Sequence, residues 1–291
     1  MITESPEKTK SKCQTRKRIL AILLGTMLLL CILFCAELLR SNLYIKVKTY
    51  TIESDKVSSP VGIAVIADLH STKSQHKYQA LCKKLSEQSP DLILLVGDVV
   101  SKSDTEDSDI DFVKATVSDF CKVAPVYYVM GNHERFNPRQ DEILEAVLSA
   151  GGTHLDNSYT TMTVNSQTLH IGGVTYYRRW DSASNAFLYD FAKETENDFS
   201  LLLCHNPEFV LWGIKDYNID LIASGHTHGG MIKLPIAGPL YAPEQGWFPN
   251  YAHGLYETEY GYNAITSGVG SSPENMPRFL NPAEIMIIEV I

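Results

Sequence analysis

Aspartate, asparagine and histidine recur along this chain at the points where apolar, strand-like runs should end. The run Val61–Ala67 is followed by Asp68, Leu69 and His70, and Leu92–Val96 by Gly97 and Asp98. Val126–Met130 leads into Gly131, Asn132, His133 and Glu134, and Ser200–Cys204 leads into His205. Leu221–Ala223 leads into Ser224, Gly225, His226, Thr227 and His228. Of the nine histidines, His70, His133, His205, His226 and His228 stand at such exits. His76, His154, His170 and His253 do not, and are read as structural or solvated. Imidazole and carboxylate are ligands for Zn, Fe and Mn, and a carboxylate can bridge two cations. On extended backbone the period of two returns Asp68 and His70 to one side, and His226 and His228 likewise. A glycine before each of Asp98, Asn132 and His226 permits tight turns that bring backbone close to bound cations.

These side chains need elements to carry them. Val61–Ala67, Leu92–Val96 and Val126–Met130 are short and continuously apolar, as expected of buried central strands. Helical spacing lies between them: Tyr78, Leu81, Cys82 and Leu85 recur at i, i+3, i+4 and i+7, and Val113, Val117, Phe120 and Cys121 repeat the pattern. A third helix is expected after Pro138, with Ile143, Leu144, Val147 and Leu148 on one face and Gly151-Gly152 as its stop. Further on, the pattern predicts a meander over Thr160–Tyr177, a helix near Ser184–Glu196, strands at Ser200–Cys204 and Leu221–Ala223, and a last strand at Ile285–Val290. Alternating β and α elements argue for an α/β fold. In such sheets ligands collect outside the carboxyl ends of the strands.

From Ile19 to Leu39 only Glu37 is charged. That length spans a hydrocarbon core as a helix at about 1.5 Å per residue. A cleaved signal peptide has a shorter apolar region, about 7–15 residues, ending in a small-x-small site that does not follow here. Six basic residues precede the stretch (Lys8, Lys10, Lys12, Arg16, Lys17, Arg18) and three follow it (Arg40, Lys46, Lys48). The positive-inside bias therefore places the N-terminus in the cytoplasm and the body on the far side. The expected layout is a basic cytoplasmic tail (1–18), a transmembrane anchor (19–39), a linker (40–57) and one domain (58–291). Beyond Tyr50 the chain keeps 16 of its 25 basic and 31 of its 34 acidic residues. So acidic a body argues against binding nucleic acid, whose phosphates require basic patches. No CxxC pair occurs among the six cysteines, so buried free thiols are expected rather than disulfides or zinc thiolates.

The pieces DLH, GD, GNHE and GHTH, in this order, identify the body as similar to the calcineurin-like metallophosphoesterases across residues 58–291. GHTHGG followed by SGVGSSPENMPRFLNPAEI resembles the membrane-associated bacterial phosphoesterases of the YkuE/YaeI type, related to enzymes acting on UDP-2,3-diacylglucosamine. The resemblance implies a four-layer αββα sandwich of two mixed sheets, here preceded by one transmembrane helix. It implies two divalent cations (Mn, Zn or Fe): Asp68, His70 and His228 at the first, Asp98 bridging, and Asn132, His205 and His226 at the second. His133 would be a catalytic histidine that binds no metal and meets the phosphoryl or leaving oxygen. Two cations about 3.5–4 Å apart clamp an in-line displacement and generate hydroxide at neutral pH. The expected activity is phosphodiester or pyrophosphate hydrolysis on a membrane-associated or lipid-linked envelope substrate, by a monomer. A catalytically inactive metal-binding scaffold on the same fold is the alternative. Two positions depart from the subgroup: Met231 replaces a common Gln, and Ser267 a common Arg, for which Arg278 is a candidate substitute.

Overall fold

A strand without polar side chains is stable only where both of its faces are covered. The three apolar runs VGIAVI, LILLV and FSLLLC occupy such positions. A computed structural model describes residues 6–72, 74–174, 182–270 and 276–291. In chain order the elements are α1 (Pro6–Leu43), β1 (Ile45–Ile52), β2 (Val61–Ile66), α2 (Gln75–Gln88), β3 (Leu92–Val96), α3 (Asp107–Cys121) and β4 (Val126–Val129). There follow α4 (Asn132–Arg135), α5 (Gln140–Ser149), β5 (Thr153–His154), β6 (Ser158–Val164), β7 (Gln167–Val174), α6 (Ser182–Glu194), β8 (Phe199–Cys204) and α7 (Pro207–Trp212). The last part holds β9 (Leu221–Ser224), the two-residue strands β10 (Lys233–Leu234), β11 (Gly238–Pro239), β12 (Tyr241–Ala242) and β13 (Gly246–Trp247), then β14 (Gly254–Glu257), β15 (Tyr262–Ile265) and β16 (Ala283–Val290).

Two six-stranded mixed sheets form, in the orders β1-β16-β2-β3-β4-β5 and β14-β15-β9-β8-β7-β6. Strands β2, β3, β4 and β5 run parallel, as do β7, β8, β9 and β15. Successive side chains alternate between two buried layers. Ala64, Ile66, Ile93 and Leu95 face Leu81, Leu85, Val117, Phe120 and Val147 of the helices. Their neighbours Ile63, Val65, Leu92 and Leu94 meet Leu201, Leu203, Leu221 and Ala223 of the other sheet. Leu202, Cys204 and Ile222 pack on Leu188, Phe191, Phe209 and Val210 of α6 and α7. The result is helix, sheet, sheet, helix, the four-layer sandwich expected. The meander becomes the β6–β7 hairpin, and its last expected residues, 175–177, lie outside the described residues.

One expectation is corrected. The segment 40–57 is no linker, because Ile45–Ile52 adds a strand parallel to β16 over eight paired positions, with Ile45 and Ile52 buried. Its polar residues alternate with apolar ones on an edge strand, which reads as loop when only overall polarity is weighed. Helix α1 includes Thr15–Leu43, long and apolar enough to cross a membrane. Its C-terminal end is joined to the segment 278–281. Glu37 Oε1 accepts from Ser41 Oγ (2.6 Å) and Leu280 N (3.2 Å). Asn42 exchanges bonds with the Arg278 backbone at 2.9 and 3.1 Å, and the Phe34 and Phe279 rings lie 5.0 Å apart. Among the described residues five cysteines are free, and Cys204 is buried.

Candidate metal centre

Three strands of one sheet and two of the other end at a common rim. Strands β2, β3 and β4 deliver Asp68 and His70, Asp98, and Asn132 with His133; β8 and β9 deliver His205, and His226 with His228. Backbone bonds stitch the exits together: Asp68 N donates to Gly97 O (3.1 Å), His70 N to Asp98 O (3.0 Å) and Gly225 N to His205 O (3.0 Å). Asp68, Asp98, His70, His205, His226 and His228 are all buried. The paired side chains converge by a route other than the extended backbone expected. Asp68, His70, Asp98, His226 and His228 have φ of 54°, 45°, 53°, 69° and 49°. Left-handed backbone is tolerated best by Asp, Asn and His among residues with a Cβ. It turns Asp68 and His70 inward while Leu69 between them stays in the core.

Asp98 is at the middle. Its Oδ2 lies 3.2 Å from His205 Nε2, 3.9 Å from His133 Nε2 and 4.0 Å from His70 Nε2. His70 Nε2 and His228 Nε2 are 3.2 Å apart, with Asp68 Oδ1 3.9 Å from the latter. His205 donates its Nδ1 proton to Val96 O (2.7 Å), which turns Nε2 toward Asp98 and toward Asn132 Oδ1 (3.2 Å). His226 gives its Nε2 proton to Glu244 Oε2 (2.7 Å), leaving Nδ1 as its lone-pair nitrogen. One donor atom from each of Asp68, His70 and His228 lies within 4.8 Å of the others; so do those of His70, Asp98 and His133, and of Asp98, His205 and His226.

Buried imidazole lone pairs that face one another and two carboxylates require positive charge between them. Protonation registers that demand. Burial alone would lower His205, but Asp98 overrides it and pushes it up to about 10. Burial would raise Asp98, yet His205, followed by His133 and His70, holds it well below the carboxylate range. Asp68 is pushed up to about 6, by burial first and by Asp98 among its charged neighbours. Burial drives His70 down to about 3. His228 Nδ1 is buried without a hydrogen-bond partner. The set offers oxygen and nitrogen donors with no thiolate, which fits Mn, Fe or Zn.

His133 differs from the rest. Its Nδ1 accepts from Lys102 N (2.9 Å), so the neutral ring carries its proton on Nε2, pointing into the site. A protonated nitrogen cannot ligate a cation but can donate to an oxygen. Burial lowers its pKa. With Nδ1 taken up as an acceptor and burial opposing the charged form, the neutral ring is the form that donates from Nε2.

Three supporting residues escaped the reading of the sequence. Glu134 is buried and accepts from Asp98 N (2.8 Å), Gly131 N (2.9 Å) and Val100 N (3.1 Å), joining the β3 and β4 exits; burial pushes it up to about 7. Its place inside GNHE was the available signal. Glu244, eighteen residues from His226, had none. Asn281 Nδ2 donates to His228 O (2.7 Å). Arg278, fully buried, donates from Nε to Gly270 O (2.8 Å) and from Nη2 to Ser267 O (2.7 Å). Arg278 thus braces the loop near Ser267 through backbone carbonyls. Met231 is buried, with φ of 51°. Of the other histidines, His170 pairs with Asp198 and His253 with Glu284, apart from the centre.

Comparisons with known proteins agree with this geometry. Residues 61–230 match the family described as Calcineurin-like phosphoesterase. The uncharacterized protein YpbG of Bacillus subtilis is 28% identical over 233 residues, 79% of this chain and 85% of its own. The phosphodiesterase YaeI of Escherichia coli is 30% identical over 221 residues, 74% of this chain and 77% of its own. The crystal structure of TT1561 of Thermus thermophilus superposes with a TM-score of 0.50 at 11% identity, covering 72% of this chain and 90% of that one, a likeness of fold.

Proposed function

The chain belongs to the calcineurin-like phosphoesterase family of phosphoric ester hydrolases, and from that premise we propose that it cleaves a phosphodiester or pyrophosphate with two divalent cations. Asp68, His70 and His228 would hold one cation, and Asn132, His205 and His226 the other, with Asp98 bridging. The observation that carries this reading is the position of Asp98 Oδ2, 3.2 Å from His205 Nε2 and 4.0 Å from His70 Nε2, members of the two different sets. When bound, such a pair supplies Lewis acidity and a nucleophile at neutral pH. The chain's own residues do the rest. The Val96 carbonyl and the Glu244 carboxylate set the tautomers of His205 and His226 and orient their lone pairs. His133 offers its Nε2 proton to a phosphoryl or leaving oxygen. The test is direct: measure bound metal and hydrolysis of bis-p-nitrophenyl phosphate, with and without chelator, for the wild type and Asp98→Asn. Hydrolysis should be lost on chelation and in the variant. Activity that survives both would end the two-metal reading.

The substrate is proposed to be membrane-associated, with a lipid-linked phosphate as the leading class, and α1 to be a single-pass anchor holding the body outside the cytoplasm. The support is that the end of α1 bonds to residues 278–281, which themselves bond to the His228 loop. The centre then lies within a domain's width of lipid.

A further inference from the structure

After the GHTHGG loop the chain folds into two small ribbons, β10–β11 and β12–β13. They and their flanks expose Leu234, Ile236, Tyr241, Trp247 and Phe248, with Ile236 at 101% and Trp247 at 68% of full accessibility. Clustered exposed apolar side chains mark an interaction surface. In a body otherwise rich in carboxylates, the only charged residues from Lys233 to Phe248 are Lys233 and Glu244, and Glu244 is engaged by His226.

Both edges of this surface are anchored. On one edge it is built onto the metal loop, since Leu240 N donates to Ile232 O (2.8 Å), Phe248 N donates to Leu240 O (2.9 Å), and Glu244 sits in the turn between β12 and β13. On the other edge it is tied to α1. Ile232 bridges Phe279, Lys233 N donates to Phe279 O (2.9 Å), and the Phe279 ring packs on Phe34. Phe34 stands five residues before Leu39, about 7–8 Å down the helix axis from the end of the apolar stretch. A bilayer crossed by α1 therefore reaches Phe279 and β10 beside it.

We propose that the β10–β13 ribbons dock into the headgroup region of the bilayer that α1 crosses, so that the metal centre opens at the lipid surface. This rests on the reading of α1 as an anchor. Lipid is the occupant because the surface is continuous with the apolar helix and its paired rings, Tyr241 and Trp247 at 5.6 Å, are of the types that settle at membrane interfaces. The preferred substrate would be a phosphate ester or anhydride presented at headgroup depth.

The full chain in nanodiscs of phosphatidylcholine brominated near the carbonyl end of its acyl chains tests this. One variant keeps only Trp247 (Trp180→Phe, Trp212→Phe) and another only Trp212 (Trp180→Phe, Trp247→Phe). Trp212, on α7 in the outer helical layer of the other sheet, is 65% accessible and serves as a matched control. Trp247 emission should fall to about half or less of its value in unbrominated lipid, with Trp212 unchanged. Ile236→Asp should weaken that quenching by about twofold or more while bis-p-nitrophenyl phosphate turnover stays at the wild-type rate. Chain that co-elutes with nanodiscs yet shows no more bromine quenching of Trp247 than of Trp212 overturns the docking. Failure to co-elute overturns the anchor and the docking with it. Absence of small-ester turnover instead strikes the hydrolase reading and leaves the quenching result standing.

Discussion

At the scale of single residues, protonation separates the eight histidine, aspartate and asparagine side chains into roles. Seven form the proposed ligand set, within which the Asp98 carboxylate favours the charged form of His205, 3.2 Å away. His133 presents a proton, because the Lys102 amide occupies its Nδ1. His133→Ala should lower kcat by ~10²-fold or more and leave the bound metal unchanged. Metal analysis beside the rate measurement checks both halves. The sign of the pH dependence follows from burial, which lowers the His133 pKa from 6.5. The ring is then already neutral at neutral pH, and raising the pH further removes no proton from the role it plays. The kcat profile should show no limb from His133 that falls with rising pH, either through its lowered pKa below 6.5 or above neutrality. A decline there that His133→Asn abolishes would show that the imidazolium is the working form.

At the scale of elements, the strand exits can hold the proposed ligands only if the backbone loops nest closely. A Cβ on Gly97 would meet Gly131 N at 2.5 Å, and one on Gly131 would collide with the Asp98 carboxylate. Gly131→Ala should therefore displace Asp98 and cut activity by ~10²-fold, because catalytic geometry tolerates little more than an ångström of misplacement. Metal content of the purified variant should fall with it. The brace from Arg278 belongs to this scale too. Its buried guanidinium bonds two carbonyls of the segment 267–270 at 2.7–2.8 Å. Arg278→Leu should destabilise the fold by about 3 kcal/mol, since hydrogen bonds to a buried charge are lost and their acceptors left bare. Thermal unfolding measures it, and a Tm equal to the wild type would show the brace to be dispensable. Strands β2, β3, β4, β8, β9 and β16 were legible from their apolar runs to within a residue or two. Strands β5 and β10 to β15 carry no such run, and β1 escaped because this edge strand alternates polar with apolar residues.

At the scale of the whole molecule, the end of α1 is bonded to the body. Glu37, Ser41 and Asn42 bond the segment 278–281, which bonds the His228 loop. The end of α1 and the candidate centre therefore share one chain of contacts. The orientation proposed for α1 has its own check: a reporter active only outside the cytoplasm, fused after Ile291, should be active, and activity of a cytoplasm-only reporter there would reverse the topology. What the sequence by itself determined was local in origin: apolar runs that must be buried, polar residues at their ends, a helix long and apolar enough to cross a membrane, and a motif order that resembles one family's. Residue type and spacing carry such information directly. Only the tertiary structure decided that the five exits come from two sheets, that left-handed backbone rather than strand alternation aims the candidate ligands, and that Glu134, Glu244, Arg278 and Asn281 bond around them. Those facts depend on distant partners, such as His226 and Asp68, 158 residues apart, and no local pattern encodes a contact whose geometry is set by packing.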